Sequence, residues 1–280
     1  MALSASELDR YSRHILLKEV GGPGQAKLRQ SSVLVIGAGG LGAPVLLYLA
    51  AAGVGRLGII DDDRVSLSNL QRQVIHTTER VGEPKTESAA ITVNALNPHV
   101  QVDQHNFRLT DANAMEIVGA YDLVVDGSDN FRTRYLVSDA CYLAKKTLVM
   151  GAVGQFDGQV STFKPYLKRE DGTPYPTYRC LFPDEPPPGL LPSCEEAGIL
   201  GALTGIIGSV QAIEAIKLLL DLGDPLIGRL LAYDSLEQSF REFKVRRDPS
   251  NEITWENRDR VVVAELDGLC MPHPLQAPPA

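Results

Sequence analysis

The sequence predicts an α/β fold: a doubly wound, mostly parallel sheet covered by helices on both faces and extended by antiparallel strands. Two observations carry this prediction. Short apolar runs alternate with helix-like segments between Val33 and Ala152, as parallel strands buried on both faces do. After Gly151, the run Gln159–Phe163 alternates between polar and apolar residues, which is typical of a half-exposed strand.

The elements follow from these patterns in chain order. An amphipathic helix is predicted over residues 4–18, with Leu8, Tyr11, Ile15 and Leu16 on one face. Strands are predicted at 33–36, 56–61, 100–106, 123–126, 147–152, 159–163, 230–234 and 239–245. Helices are predicted at 41–52, 85–96, 111–118, 130–144 and 199–220. The segment 165–195 is interpreted as a long crossover loop, because Pro165–Pro192 contains eight of the 18 prolines. Residues 1–245 then form a single domain, and 246–280 form a partly mobile tail.

The composition indicates a soluble enzyme. Of the 280 residues, 44% are hydrophobic and 22% charged, and the net charge of -8 disfavours a nucleic-acid partner. Four scattered cysteines form no disulfide framework, and the early charges in the N-terminal segment favour a cytoplasmic location over a signal peptide. The run 199–220 is long enough to cross a bilayer, but Gln211, Glu214 and Lys217 interrupt it. A helix in the core or in a dimer interface is therefore predicted, and no membrane contact.

A phosphate-binding loop is predicted in the stretch VLVIGAGGLGAP. Gly37, Gly39 and Gly42 give the pattern GxGxxG between a strand and a helix, where backbone can approach phosphate oxygens closely. Asp61 ends the second strand, where an acidic side chain can bind ribose hydroxyls. This fingerprint of a Rossmann-like fold leaves open whether the chain moves a hydride with NAD or cleaves a phosphoanhydride.

Two cations and a carboxylate favour phosphoanhydride chemistry. Arg72 and Lys85 follow the ribose-binding strand, and two positive charges suit a triphosphate whose α-phosphorus must become electrophilic. Taken singly, Arg72 is more often a surface salt bridge and Lys85 a solvated helix start; their joint placement after a glycine loop favours the phosphate role. Asp129 ends the fourth strand, where a carboxylate can hold Mg²⁺; alternatively it caps the next helix.

These segments together resemble the ubiquitin-activating-enzyme-like superfamily. The motifs are RYSRHI, GAGGLG, SNLQRQ, VGEPKTESA, DGSDN and CEEAGILG, and the resemblance runs from about Leu8 to Val245. The branch most similar to this chain is the bacterial MoeB/ThiF/HesA group of molybdopterin-synthase and sulfur-carrier adenylyltransferases. The resemblance implies an adenylyltransferase that uses ATP and Mg²⁺ to adenylylate the C-terminal carboxylate of a small β-grasp, ubiquitin-like protein ending in Gly-Gly.

The resemblance also implies roles for individual residues. Gly40 contacts phosphates, Asp61 the ribose, Lys85 stabilises charge, and Asp129 holds magnesium with Asn130 beside it. The residues that line the nucleotide are Ser68, Asn69, Leu70, Gln71, Arg72 and Gln73. Arg13 reaches the ATP of the other subunit, which makes a homodimer necessary; without the resemblance, Arg13 is an exposed helix charge.

The resemblance leaves the thiol chemistry open and argues against zinc. Cys194 precedes the last long helix, and relatives use the matching cysteine for a covalent thioester or persulfide; an inert thiol is the alternative. Many relatives hold zinc with two CxxC pairs. Here Thr177 and Cys180 occupy the first pair of positions, and Asn251 and Thr254 the second, so no structural zinc is expected.

The sequence leaves the partner and the pathway undecided. Since no rhodanese-like domain is recognisable in the chain, the resemblance implies a separate sulfur donor, a rhodanese or a cysteine desulfurase. The carrier serves molybdenum cofactor or thiamine biosynthesis, which the sequence does not separate. Three alternatives remain: the same chemistry on a non-protein carboxylate or tRNA-modification substrate, an NAD-dependent dehydrogenase, and a non-catalytic partner subunit.

Overall fold

A single eight-stranded sheet organises the protein. The computed structural model describes residues 3–183, 198–251, 253 and 256. The strands are β1 (Ser32–Ile36), β2 (Arg56–Ile60), β3 (Gln101–His105), β4 (Leu123–Asp126), β5 (Thr147–Val153), β6 (Asp157–Phe163), β7 (Arg229–Asp234) and β8 (Ser239–Lys244). Their order is β3-β2-β1-β4-β5-β6-β7-β8. The five strands β3, β2, β1, β4 and β5 are mutually parallel. Strands β6, β7 and β8 continue the sheet antiparallel, which confirms the predicted fold class.

Apolar runs build the parallel half because both faces of the sheet are covered. In β1, Val33 and Val35 join one core cluster, and Leu34 and Ile36 join the other. Successive side chains of a strand point to opposite faces, so a continuous apolar run fills both layers. The antiparallel end differs: β8 is largely exposed.

The helices form the two covering layers. They are α1 (Ala5–Arg10), α2 (Ser12–Ile15), α3 (Gly21–Gln30), α4 (Gly42–Ala52), α5 (Lys85–Leu96), α6 (Ala114–Gly119), α7 (Phe131–Leu143) and α8 (Gly201–Leu220). Residues of α4, α5 and α8 enter one core cluster, and residues of α6 and α7 enter the other. The bounds of α5 are those predicted.

The sequence predicted one continuous helix over residues 4–18, and this prediction is wrong because the structure has two helices there. Two short helices, α1 and α2, meet at Tyr11, whose φ of -96° and ψ of 12° depart from helical values. The Tyr11 side chain is buried, and its hydroxyl accepts a hydrogen bond from Asn97 Nδ2 at 2.8 Å. This tertiary contact fixes Tyr11 at the end of α5, and the chain breaks its helix there.

The long apolar helix α8 is a core helix, as predicted. By length and composition it is the one helix among the described residues that qualifies as a membrane span. However, it packs on α4 so closely that a Cβ on Gly208 would meet Leu41 O at 2.6 Å. Its buried Glu214 accepts hydrogen bonds from the Leu226 N–H and the Thr162 hydroxyl. A polar residue on α8 is thus satisfied inside the protein.

The crossover segment and the start of the tail meet in a polar cluster. We call Thr177, Cys180 and Asn251 the polar clamp. Asn251 Nδ2 donates to Thr177 Oγ1 at 2.6 Å and to Cys180 Sγ at 3.4 Å. The Thr177 N–H also donates to this sulfur at 3.4 Å. Three of the four positions that correspond to zinc ligands of relatives by the resemblance, the retained Cys180 among them, therefore lie together. The fourth, Thr254, lies outside the described residues.

Candidate active site

A cleft opens where the parallel strands end. It lies beyond the carboxyl ends of β1, β2 and β4, and β1 and β4 are the neighbours at which the strand order reverses direction. Open parallel sheets bind ligands at this place. With the space open to solvent, the cleft measures about 1000 Å³. Of the predicted site residues, the following line it: Gly37, Gly39, Gly40, Asp61, Arg72, Gln73, Lys85, Asp129 and Asn130.

The glycine loop leaves room for a ligand by lacking side chains. Gly37 has φ +86°, a backbone conformation that other residues rarely adopt. A Cβ on Gly40 would meet Thr204 Cγ2 at 2.9 Å, so the loop also needs glycine to pass α8. Gly42 does not line the cleft. It begins α4, and a Cβ there would collide with the Gly37 carbonyl oxygen, so its role is packing.

Asp61 joins the glycine loop to the end of β2. Its Oδ2 accepts the Ala38 N–H at 2.8 Å, and its Oδ1 accepts the Asp63 N–H at 2.9 Å. Burial raises the pKa of the Asp61 carboxyl, and nearby Lys85 opposes that shift. A carboxylate has about four lone-pair sites, so two remain for ribose hydroxyls after these bonds.

Both predicted cations, Arg72 and Lys85, line the cleft, but they differ in burial and in hydrogen-bond partners. Lys85 is only 6% exposed, so its interpretation as a solvated helix start is wrong. Its Nζ donates to Asp63 Oδ2 at 2.8 Å, which holds the ammonium beside the opening of α5. Arg72 is half-buried and donates a hydrogen bond to Ser68 O at 3.3 Å. Among the residues that the structure describes, it forms no ion pair with a carboxylate. Its salt-bridge interpretation is therefore not supported.

The loop preceding Arg72 has a structural function that the sequence did not indicate. Ser68, Asn69, Leu70 and Gln71 do not line the cleft. Asn69 is buried, and its Oδ1 accepts the Ser66 N–H at 3.1 Å in a capping box around the short helix Leu67–Asn69. The turn presents Arg72 and Gln73 to the cleft. Gln73 Oε1 is buried there without a partner among the described residues.

Asp129 is an exposed carboxylate on the wall formed by the end of β4. The alternative that Asp129 caps α7 is wrong, because Asn130 is the cap: its Oδ1 accepts the Thr133 N–H at 2.9 Å. Asn130 Nδ2 reaches Asp129 Oδ1 only at 3.5 Å. Oxygen ligands suit Mg²⁺, and the carboxylates of Asp61, Asp62 and Asp63 lie in the same cleft, so the donor set fits this metal.

Several lining residues escaped the sequence interpretation. Phe107 and Arg108 come from the loop after β3, and Arg108 Nε donates to Asp62 Oδ2 at 3.1 Å. Thr204 comes from α8, and Arg134 comes from α7, where it donates to Ser128 O at 3.0 Å. The position of Phe107 directly after a parallel strand was the one available signal.

Arg13 lies away from this cleft. It is exposed on α2 and does not line the cleft. The neighbouring Tyr11 ring packs against Gly53, the residue that ends α4, whereas the cleft lies at the first turn of α4. The 11 residues of α4 span about 16 Å. Cys194 lies outside the described residues.

The chain was compared with known families and relatives. A model described as the ThiF family matches residues 11–253. A sulfur carrier protein adenylyltransferase of Thermus thermophilus is 53% identical over 271 residues, 96% of this chain and 99% of that protein. A SAMP-activating enzyme E1 of Haloferax volcanii is 50% identical over 256 residues, 91% of this chain and 92% of the other.

Two further matches are more limited, one in the share of the relative that is covered and the other in sequence identity. A probable adenylyltransferase/sulfurtransferase MoeZ of Mycobacterium tuberculosis is 51% identical over 249 residues, 89% of this chain but 63% of that protein. Among solved structures, E. coli MccB with ATP superposes with a TM-score of 0.74 at 21% identity, over 87% of this chain and 74% of that one. At this identity, the structural match supports the fold.

Proposed function

Because the chain belongs to the ThiF family, we propose that it adenylylates the C-terminal Gly-Gly carboxylate of a small ubiquitin-like sulfur carrier. ATP is the AMP donor, and pyrophosphate is the second product. One observation carries the proposal: a single cleft combines the glycine loop with Arg72, Lys85 and Asp129. A relative named for sulfur-carrier adenylylation and another named as a SAMP-activating enzyme support the same chemistry.

The lining of the cleft supports one orientation of ATP. Ile60, Phe107 and Leu109 give it an apolar end that suits the adenine ring. Asp61, next to this apolar end, would bind the ribose hydroxyls. The glycine loop and the first turn of α4 suit the phosphates, since a helix N-terminus attracts negative charge.

The reaction needs charge compensation more than proton transfer. A carboxylate oxygen of the carrier attacks the α-phosphorus, and the bond from that phosphorus to the bridging oxygen of the β-phosphate breaks. Pyrophosphate leaves with the electron pair. The carboxylate is ionised at neutral pH, so no general base is required. Arg72 and Lys85 offset the negative charge of attacking group and leaving group.

Magnesium fits the wall that carries Asp129. Asp129 would hold the ion, with Asn130 beside it, and bound Mg²⁺ neutralises phosphate charge. Lys85 is engaged with Asp63 and Arg108 with Asp62, so these two carboxylates are already compensated by cations. The uncompensated carboxylate on the opposite wall is therefore the better ligand.

A homodimer would complete the site. Arg13 lies at the far end of α4 from its own cleft, so in a homodimer it would serve the cleft of the second subunit. The chain then works in the cytoplasm with a carrier of the molybdenum cofactor or thiamine pathway. A separate rhodanese or cysteine desulfurase is the sulfur donor of the later step: its persulfide displaces AMP from the acyl-adenylate, and a thiol reductant then releases the thiocarboxylate. Cys194 is a further candidate for covalent chemistry in that later step.

ATP–pyrophosphate exchange tests the proposal. The purified chain with Mg²⁺ is offered candidate carriers one at a time, each paired with a version that lacks its terminal glycine. Exchange that depends on one carrier and disappears with the glycine is expected. If no carrier supports exchange although ATP binds measurably, the proposal is contradicted. That result would point to a non-protein carboxylate or to a non-catalytic subunit.

A further inference from the structure

His76 connects the glycine loop to α5 without lining the cleft. Its side chain is 6% exposed. Nε2 lies 2.9 Å from Ala38 O, and Nδ1 lies 2.9 Å from Ser88 Oγ. Because a carbonyl oxygen only accepts, Nε2 carries the proton, and Nδ1 accepts from the Ser88 hydroxyl. Burial lowers the pKa of His76 to about 4, so this neutral tautomer persists at neutral pH.

The peptide groups of Ala38 are held from two sides. The N–H donates to Asp61 Oδ2 at 2.8 Å, and the C=O accepts from His76 Nε2. Ala38 lies between Gly37 and Gly39, both of which line the cleft. Glycines give the backbone conformational freedom, so these two bonds contribute to the orientation of the loop, beside the bonds of Gly37 N–H to Ile60 O and of Ala43 N–H to Gly39 O.

The same imidazole is tied to the elements that carry the two cations. His76 follows Arg72 and Gln73 in one loop, and its N–H donates to Gln73 O at 3.1 Å. Ser88 is one helical turn after Lys85 in α5. Three separate segments that contact the proposed triphosphate thus meet at one buried side chain.

We infer that His76 is a positioning residue that sets the glycine loop at a fixed place relative to Arg72 and Lys85 before ATP arrives. The inference rests on the proposed use of ATP. Preset geometry lowers the ordering cost of binding, so its loss weakens ATP binding rather than carrier binding. A histidine that merely stabilises the core would change the free energy of unfolding and leave the affinity of the folded protein for ATP unchanged.

Two amide substitutions separate the two ring nitrogens. His76→Gln places an amide nitrogen near Nε2 and keeps the donor to Ala38. The shorter side chain of His76→Asn reaches only the position of Nδ1, beside Ser88 Oγ. His76→Asn is expected to raise the Kd for ATP about tenfold, since it leaves the Ala38 carbonyl unpaired, and His76→Gln is expected to stay within about threefold. The KM for the carrier should be unchanged in both.

ATP binding is measured by calorimetry without carrier, so the result does not depend on the adenylylation reaction. If the wild-type chain binds ATP but shows no exchange, the proposed reaction fails and the role of His76 is still read from Kd. A folded His76→Asn variant with wild-type affinity, or a His76→Gln variant as weak as His76→Asn, overturns the inference. If His76→Asn does not fold, Ser88→Ala replaces it: about threefold weaker ATP binding is expected, and unchanged affinity overturns the inference.

Discussion

The cleft and the polar clamp use similar side chains in opposite ways. In the clamp, Thr177, Cys180 and Asn251 bond to one another. In the cleft, Gln73 Oε1 is buried without a partner among the described residues, and Asp129 is exposed. Buried polar groups are normally satisfied, so Gln73 Oε1 is an acceptor that a ligand in the cleft could use. A closed set of bonds indicates a region that already has its partners.

This difference between the cleft and the polar clamp bears on zinc, the metal that the family resemblance implies at the positions of the clamp. One thiol, one hydroxyl and one amide do not make the thiolate-rich set that a structural zinc requires. These groups instead hold the crossover segment to residues 248–251 by hydrogen bonds. Polar contacts from Thr177 and Asn251 lower the pKa of the Cys180 thiol against the effect of burial. These are three of the positions at which the family resemblance implies zinc ligands, so the absence of structural zinc stays a prediction.

The largest expected effect is on the charge of the cleft. Lys85→Met keeps the length of the buried side chain and removes the ammonium. Carrier-dependent exchange should fall by about 10² to 10³, because a donor to transition-state charge is lost. The matched control is Lys27→Met, which breaks an exposed pair with Asp221 and should leave exchange unchanged. A Lys85→Met variant with near-normal exchange would show that the cleft does not work through this cation.

The neighbours Asp129 and Asn130 should separate metal binding from helix capping. Asp129→Asn should raise the Mg²⁺ concentration for half-maximal exchange by about tenfold or more, with the free energy of unfolding little changed. Asn130→Ala should lower the free energy of unfolding by about 1 kcal/mol through loss of the cap of α7. Magnesium titrations and denaturant unfolding measure the two effects. Equal magnesium dependence in both variants would refute this division of roles.

The clamp should matter for stability alone. Asn251→Ala removes the donor to Thr177 and Cys180, so the free energy of unfolding should fall by about 1–3 kcal/mol while the Kd for ATP is unchanged. Asn94→Ala, on the exposed face of α5, is the matched control and should change stability by no more than about 0.5 kcal/mol. Metal analysis of the purified chain completes the test: zinc near a one-to-one ratio would contradict the metal-free clamp.

The remaining expected effect is a pH dependence of the free energy of unfolding, caused by His76. Its folded pKa of about 4 lies below the ordinary value of 6.5, so between these values the unfolded chain binds the proton and the folded chain does not. The stabilising contribution is therefore full above pH 6.5 and is lost as the pH falls towards 4. Denaturant unfolding of wild type and His76→Gln across this range measures the difference. Parallel curves would exclude a contribution from this imidazole.

Periodic segments of the sequence predicted the fold well, and tertiary contacts explain the exceptions. The helix α5 and the strands of the parallel half follow from apolar patterns. The helix α3 was not predicted, since GGPGQAKLRQ contains three glycines and a proline. It forms because Leu28 is buried in the core and Gln25 Nε2 donates to Ala52 O at 2.8 Å. Local propensity is overridden there by packing.

The site was predictable where one continuous motif carries it. The glycine loop, Asp61, Lys85 and Asp129 were found because each lies at the end of a strand or the start of a helix. Arg72 was found because it follows the strand that Asp61 ends. Phe107 enters the cleft from the loop after the edge strand β3, and Thr204 enters it from α8. Only the folded chain brings these two residues near the glycine loop. His76 was missed because its partners, Ala38 and Ser88, lie far from it along the chain.

The placement of Arg13 has a genetic consequence under the proposed dimer. A chain with Arg13→Ala spoils its partner's cleft, and a chain with Lys85→Met spoils its own. When the two defective chains are produced together, a mixed dimer has one cleft with both defects and one cleft with neither. Two inactive alleles should therefore complement each other inside a single protein, which two defects confined to the same cleft of one chain would not do.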